Sequence, residues 1–313
     1  MEEFIIPIKD KGYIKLLNET VGFIDDILVY GQDIFSLINS DGGDNSYYKS
    51  SILLMLRESL EITDGIKSLY SGSSINVSSI LLRSIFEVYL GIKYIFQEES
   101  EIKRRALSYD VENLYRKINY YEKMDVNNEE YAEFRKIVGE EVAENFDSED
   151  MQKRINNLKS IFDKYPEYKE IKEEREQTIS HNMRRYRNKT PRWYELFDGP
   201  KSIYQLSKTL NMEKYYITLY EVLSNKSHGS NAMNGIGILN GNVCVENPKV
   251  PSPSKLSIQI SLLSTFLEGM YFEIVKNMLD KEDGVNFAQW HFELRKREKM
   301  ITDKWKNVKY KSK

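Results

Sequence analysis

One cysteine, three histidines, seven prolines and 16 glycines are spread over 313 residues, and each shortage removes a class of protein. A single thiol, Cys244, forms no internal disulfide, which sets aside a disulfide-stapled scaffold and fits a reducing, cytoplasmic compartment. Histidines at 181, 228 and 291 beside that one cysteine give no zinc spacing. The acidic turn at Asp41–Asp44 has too few ligands for a calcium loop. The segment GIGILNG at 235–241 lacks the lysine and the following helix of a phosphate-binding loop. No metal and no cofactor is therefore expected. The opening MEEFIIPIKDKGY has no long apolar core, so it is not read as a secretory signal. The most apolar stretch, Val77–Phe96, carries Arg83, Glu87 and Lys93, charges that a membrane span tolerates poorly. A buried soluble helix is expected there and no membrane partner. A net charge of −3 gives no overall pull toward nucleic acid.

What the chain does have is helix-forming sequence with few breakers. Apolar residues make up 41% and charged ones 30%, a globular mixture. Leu16, Leu17, Phe23, Ile24, Ile27, Leu28, Ile34 and Phe35 recur at helical spacing, and Ile52, Leu53, Leu56, Leu60 and Ile66 repeat the pattern after the break at Asp41–Asp44. Val77–Phe96 is apolar nearly all round, as in a helix packed on several sides. Short turns between these three predict an antiparallel up-down arrangement. Ile236, Ile238, Val243 and Val245 alternate around Asn240-Gly241, which predicts a small hairpin or an ordered loop. Ser252-Pro253 starts a long helix to about Asp280.

The expected fold is thus all-α: a single multi-helix bundle over 1–313 with a core of about 10–125 and 200–280. A charged helical lobe follows over about 126–199, with a β-hairpin near 235–246 and a basic helix over about 286–313. Charge is uneven. Glu129–Asp150 holds nine acidic residues against Arg135 and Lys136, and His291–Lys313 nine basic against three acidic. Such ends read as a solvated helix and a loose basic end, or as a binding tail.

Two segments stand out chemically. Arg83 and Glu87 are four apart, one above the other on a helix face, inside LLRSIFEVYLGIKYIF. Charges in such a setting need a partner, because burying them alone is costly. They are read as a buried ion pair that fixes helix register, as the lining of a functional pocket, or as a partly exposed face. Tyr220, Ser224 and His228 recur every four residues and form one stripe that ends at Gly229. A histidine there either caps the last carbonyls of its helix or does acid–base work.

These pieces, with WYELF between them, resemble the bacterial domain-of-unknown-function family 5677. The positions that carry the resemblance are Arg83, Glu87, Trp193, Tyr220, Ser224, His228 and Gly229, over roughly residues 45–250. The resemblance implies an all-helical fold in which the arginine and histidine helices meet, with Arg83, Glu87 and His228 catalytic and Trp193, Tyr220 and Ser224 lining the substrate. Proteins of this type also look like the HEPN nucleases of toxin and phage-defence systems. Those cut RNA without metal, using an arginine and a histidine closely spaced on one helix. Arg175 and His181 match that spacing, although Glu176 departs from the residue type preferred after the arginine.

Two functions stay open. One is a metal-independent ribonuclease of phage defence, with RNA as partner and an Arg83/His228 pocket. The other is a non-catalytic, homodimeric regulatory module that binds a small ligand or a protein encoded nearby.

Overall fold

The computed structural model describes residues 10–40, 47–143, 148–164, 166–186, 190–220, 236–239, 242–245 and 253–308, of which 40, 47, 164, 182–186, 220 and the two strands by backbone alone. In chain order the helices are α1 (Lys11–Ser40), α2 (Tyr47–Ser71), α3 (Ile75–Ile95), α4 (Ile102–Met124), α5 (Tyr131–Val138), α6 (Glu140–Ala143), α7 (Ser148–Lys164), α8 (Pro166–Tyr186), α9 (Ile203–Thr209), α10 (Glu213–Tyr215), α11 (Pro253–Met278) and α12 (Lys281–Lys306). A π turn, Tyr216–Tyr220, continues α10. Where the sequence places a hairpin, strands β1 (Ile236–Leu239) and β2 (Asn242–Val245) pair antiparallel, Ile236 opposite Val245 and Leu239 opposite Asn242. Asn240 and Gly241 lie outside the described residues.

The helices gather into two compact units. The first comprises Met1–Asn45, Ile52–Gln97 and Ile203–Lys313, the second Ser46–Ser51 and Glu98–Ser202. Apolar spacing alone puts 10–125 in one core of a single domain and starts the lobe at 126. The division falls earlier, so α4 belongs to the second unit, and α12 joins the first. The reason is in the side chains. Leu107, Val111 and Ile118 of α4 share a core with Ile155 and Phe162 of α7, Tyr168 and Ile171 of α8, and Leu196. The apolar stripe of α4 is spent on its own neighbours.

In the first unit α11 packs against α3, α12 and α1. Leu256, Ile260, Leu263, Phe266, Leu267, Met270, Tyr271, Ile274 and Val275 are all buried, while Ile258 and Phe272 of the same helix stay exposed. By length and composition α3 and α11 could each cross a membrane, yet more than half of each apolar window is buried by protein.

Ends and crossings are fixed locally. Asp10 caps α1, its Oδ1 accepting the Tyr13 N–H at 2.8 Å. Asp280 caps α12 in the same way through Asp283 at 3.0 Å. Trp305 of α12 donates its indole N–H to Thr20 of α1 at 2.9 Å and meets Tyr13 edge-on. The described part of the basic helix is not a loose end. Arg297 pairs with Asp26, and Lys304 with Glu19. Where α11 crosses α1, the Tyr271 hydroxyl donates to the Ile27 carbonyl at 3.2 Å. A Cβ built on Gly31 would overlap that hydroxyl and Leu60.

Gly31→Ala lowers unfolding free energy by about 1–3 kcal/mol in a urea titration, because the crossing has no room for a methyl group. Gly284→Ala, where the space is open, raises it by about 0.5–1 kcal/mol; equal effects at the two glycines contradict this account of the crossing. In the second unit, burial pushes the Asp110 carboxyl up to about 6, against the lowering effect of Ser51 and of Tyr168, whose hydroxyl lies at 3.2 Å. A raised acid weakens the folded state as pH rises from its unfolded value through about 6. Asp110→Asn therefore raises the thermal midpoint at pH 8, by roughly 1–3 kcal/mol of stability, and leaves it little changed at pH 4. The same gain at both pH values contradicts the prediction.

Candidate functional site

Arg83 and Glu87 project from α3, of which Leu82, Ile85, Phe86, Tyr89 and Leu90 are buried in the first unit. The Arg83 Nε lies 3.0 Å from Glu87 Oε1, and the two side chains are 22% and 42% exposed. Those exposures set aside the first of the three readings of the pair and fit a partly exposed face. It is not a closed interior ion pair; it is a joined guanidinium and carboxylate that water reaches. One bond from Glu87 fixes the plane of the guanidinium, which is what oriented recognition of an oxyanion needs.

Trp193 lies in the second unit, in a short 3-10 turn, 9% exposed, its ring edge-on to Tyr109 at 5.7 Å. Its backbone N–H donates to Glu112 Oε2 at 2.7 Å, so Trp193 anchors the turn that carries it. Tyr220 ends the π turn that follows α10. A π register is a local departure from α geometry often found where function demands it. Ser224, His228 and Gly229 lie outside the described residues.

The Arg175–His181 spacing does not build a pair. Six residues on an α-helix leave two side chains about 120° apart. Arg175 is 8% exposed, its guanidinium 3.9 Å over the Tyr115 ring, whereas His181 faces out.

Helical spacing alone does not reveal a second polar centre, which sits between α11 and α12. Glu268 and Glu298 are 2% and 7% exposed. Ser264 donates to Glu268 and also lies 3.2 Å from Glu298. Arg295 reaches both carboxylates, Nε at 2.9 Å from Glu268 and Nη1 at 2.6 Å from Glu298. His291 Nδ1 comes to 2.7 Å of Glu268 Oε2, close enough for an ion pair but without hydrogen-bond alignment. Burial pushes the Glu268 carboxyl above the ordinary glutamate range, with Glu298 adding to it and Ser264, Arg295 and His291 opposing it. The sequence signal was Glu268 itself, one of two acids, with Glu273, inside the apolar run LLSTFLEGMYFEIV. Among the described residues no group of three or more His, Cys, Asp or Glu is set to hold a metal ion.

The sequence pattern of a family described as a family of unknown function, DUF5677, matches residues 49–240. The chain belongs to this family. No curated protein and no solved structure matches the chain. The DUF5677 match includes Arg83, Glu87, Arg175, Trp193, Tyr220, Ser224 and His228. It stops short of the Glu268 centre, which lies on helices outside the matched span.

The Glu268 centre makes its own prediction. Arg295→Met leaves two carboxylates without their shared cation. At pH 8 the loss is roughly 1–3 kcal/mol, discounted because Arg295 is partly exposed. The loss shrinks toward pH 5, since a raised carboxyl protonates readily as pH falls and no longer needs the guanidinium. Thermal melts at the two pH values check this; a larger loss at pH 5 contradicts it.

Proposed function

We propose that this chain is an RNA-cleaving helical effector of bacterial antiviral defence, acting in the cytoplasm as a homodimer and without metal. Arg83, held by Glu87, grips a backbone phosphate. His228 takes the proton of the adjacent ribose 2′-hydroxyl as that oxygen attacks phosphorus; the P–O5′ bond breaks, the 5′-oxygen takes a proton from water, and the imidazolium returns its proton to the hydroxide so formed. The products are a 2′,3′-cyclic phosphate and a free 5′-hydroxyl. Tyr220 and Ser224 contact the substrate.

The observation that carries this reading is the Arg83–Glu87 pair: joined at 3.0 Å, reachable by water, and set on a helix most of whose apolar residues are buried. A paired charge kept at the edge of an apolar helix serves recognition better than stability, since partly exposed pairs stabilise little. The resemblance to the HEPN nucleases, made through the family, adds the histidine and the substrate class. A second reading, a non-catalytic module that binds another protein or a second copy, has its own support. Val285, Phe292 and Met300 are exposed along one side of α12, an apolar stripe suited to a partner helix.

The test is an RNA-degradation assay with a chelator present, run beside growth arrest on expression in cells challenged with phage. Wild type is expected to degrade RNA, and Arg83→Ala and His228→Ala each to slow it by about 100-fold or more while keeping the helical circular-dichroism signal. Intact RNA with wild type, both purified and in extract of phage-infected cells, contradicts the proposal and leaves the binding module.

A further inference from the structure

The second unit contains a charged centre that the proposed chemistry does not use. Glu112 of α4 is 8% exposed. Its Oε1 lies 2.5 Å from Arg116 Nη2 and 3.6 Å from Arg192 Nη1, and its Oε2 accepts the Trp193 N–H. Arg175, from α8, lies within the electrostatic reach of Glu112 and Glu176. Arg116 and Arg192 thus share the Glu112 carboxylate, and Arg175 brings a third guanidinium within its electrostatic reach.

Arg175 is the member whose position needs explaining. It is 8% exposed, and its Nε is buried with no hydrogen-bond acceptor among the described residues. The face of Tyr115 gives it a cation–π contact at 3.9 Å, which offsets part of the lost hydration and accepts no N–H in the guanidinium plane. Both oxygens of Glu112 are already engaged. An arginine does not escape this by losing its proton, because its proton affinity is too high even when burial lowers it. A buried charge with donors left over is stable only when an acceptor meets it. Arg116 and Arg192, more than half exposed at 58% and 56%, stand at the solvent side of the same carboxylate.

We propose that Arg175, Arg116 and Arg192 form a binding site for a phosphate-type oxyanion, either free phosphate or the phosphate of a nucleoside monophosphate. The planar donor fork of Arg175 matches such an anion, and Arg116 and Arg192 draw it in from water. His181 takes no part, and Arg83 belongs to the other unit.

The experiment is isothermal titration of the full chain at low salt with inorganic phosphate and, separately, a ribonucleoside 5′-monophosphate. An Arg83→Ala background keeps the two proposed sites distinct. Binding is expected in the millimolar range or tighter. Equal affinities assign the site to the free oxyanion, and tighter nucleotide binding assigns it to a nucleotide phosphate. Arg175→Gln weakens binding by about tenfold or more, and the double variant Arg116→Ala/Arg192→Ala by about threefold to tenfold. Lys103→Ala, exposed and paired with Glu167, leaves it unchanged. Should Arg175→Gln fail to fold, the double variant, altered only at half-exposed positions, decides. Absence of binding at about 10 mM of either probe, or binding that both arginine variants leave intact, overturns the proposal.

Discussion

A charge held away from water must be met by an opposite charge or by a ligand, and three centres in this chain are organised by that constraint. On α3 the constraint is met locally, Glu87 one turn from Arg83. Between α11 and α12 it is met across helices, where Arg295 serves two buried carboxylates at once. Around Glu112 it is met in excess: one carboxylate engages Arg116 and Arg192, and Arg175 is left stacked on an aromatic ring. A pair joined within one helix and still reached by water costs little to keep. A cross-helix cluster fixes register and binds α12 to the core. An oversupplied centre has donors to spare, and spare donors are what a binding site offers.

The apolar frame makes these centres possible. Helix α11 buries a broad apolar face against α3, α12 and α1, so its side chains place those helices. Tyr271 hydrogen-bonded over Gly31, and Tyr89 seated against Gly269, set how closely neighbouring backbones approach. With the crossings fixed to within a methyl group, Ser264, Glu268, Arg295 and Glu298 meet at hydrogen-bond distance without long side chains having to search for one another.

Much of this was legible in the sequence. The stripe Leu16, Leu17, Phe23, Ile24, Ile27 and Leu28 predicts α1 because helical periodicity is a local property, and the same holds for α2, α3 and α11. The division at residue 97/98 was not legible. Leu107, Val111 and Ile118 mark a helix with an apolar side but do not say which helix covers it, and that is a tertiary fact. Arg83 and Glu87 announce themselves because charge interrupts an apolar run within one turn. Glu268 interrupts one equally, but its partners lie on the next helix, out of reach of any spacing rule. Arg175 draws notice for its distance in sequence from His181, a residue on a different side of α8; its significance lies in the ring of Tyr115 and the carboxylate of Glu112, contributed by another helix.

The functional account rests on the guanidinium of Arg83 and the imidazole of His228 sharing one site. The most direct measurement is the titration of His228 by nuclear magnetic resonance in wild type and in Arg83→Gln, with His291 as an internal reference. A neighbouring positive charge disfavours the protonated imidazole. If the two groups adjoin, His228 titrates at higher pH once the guanidinium is gone, while His291 keeps its value. Identical titration of His228 in the two proteins would contradict the account.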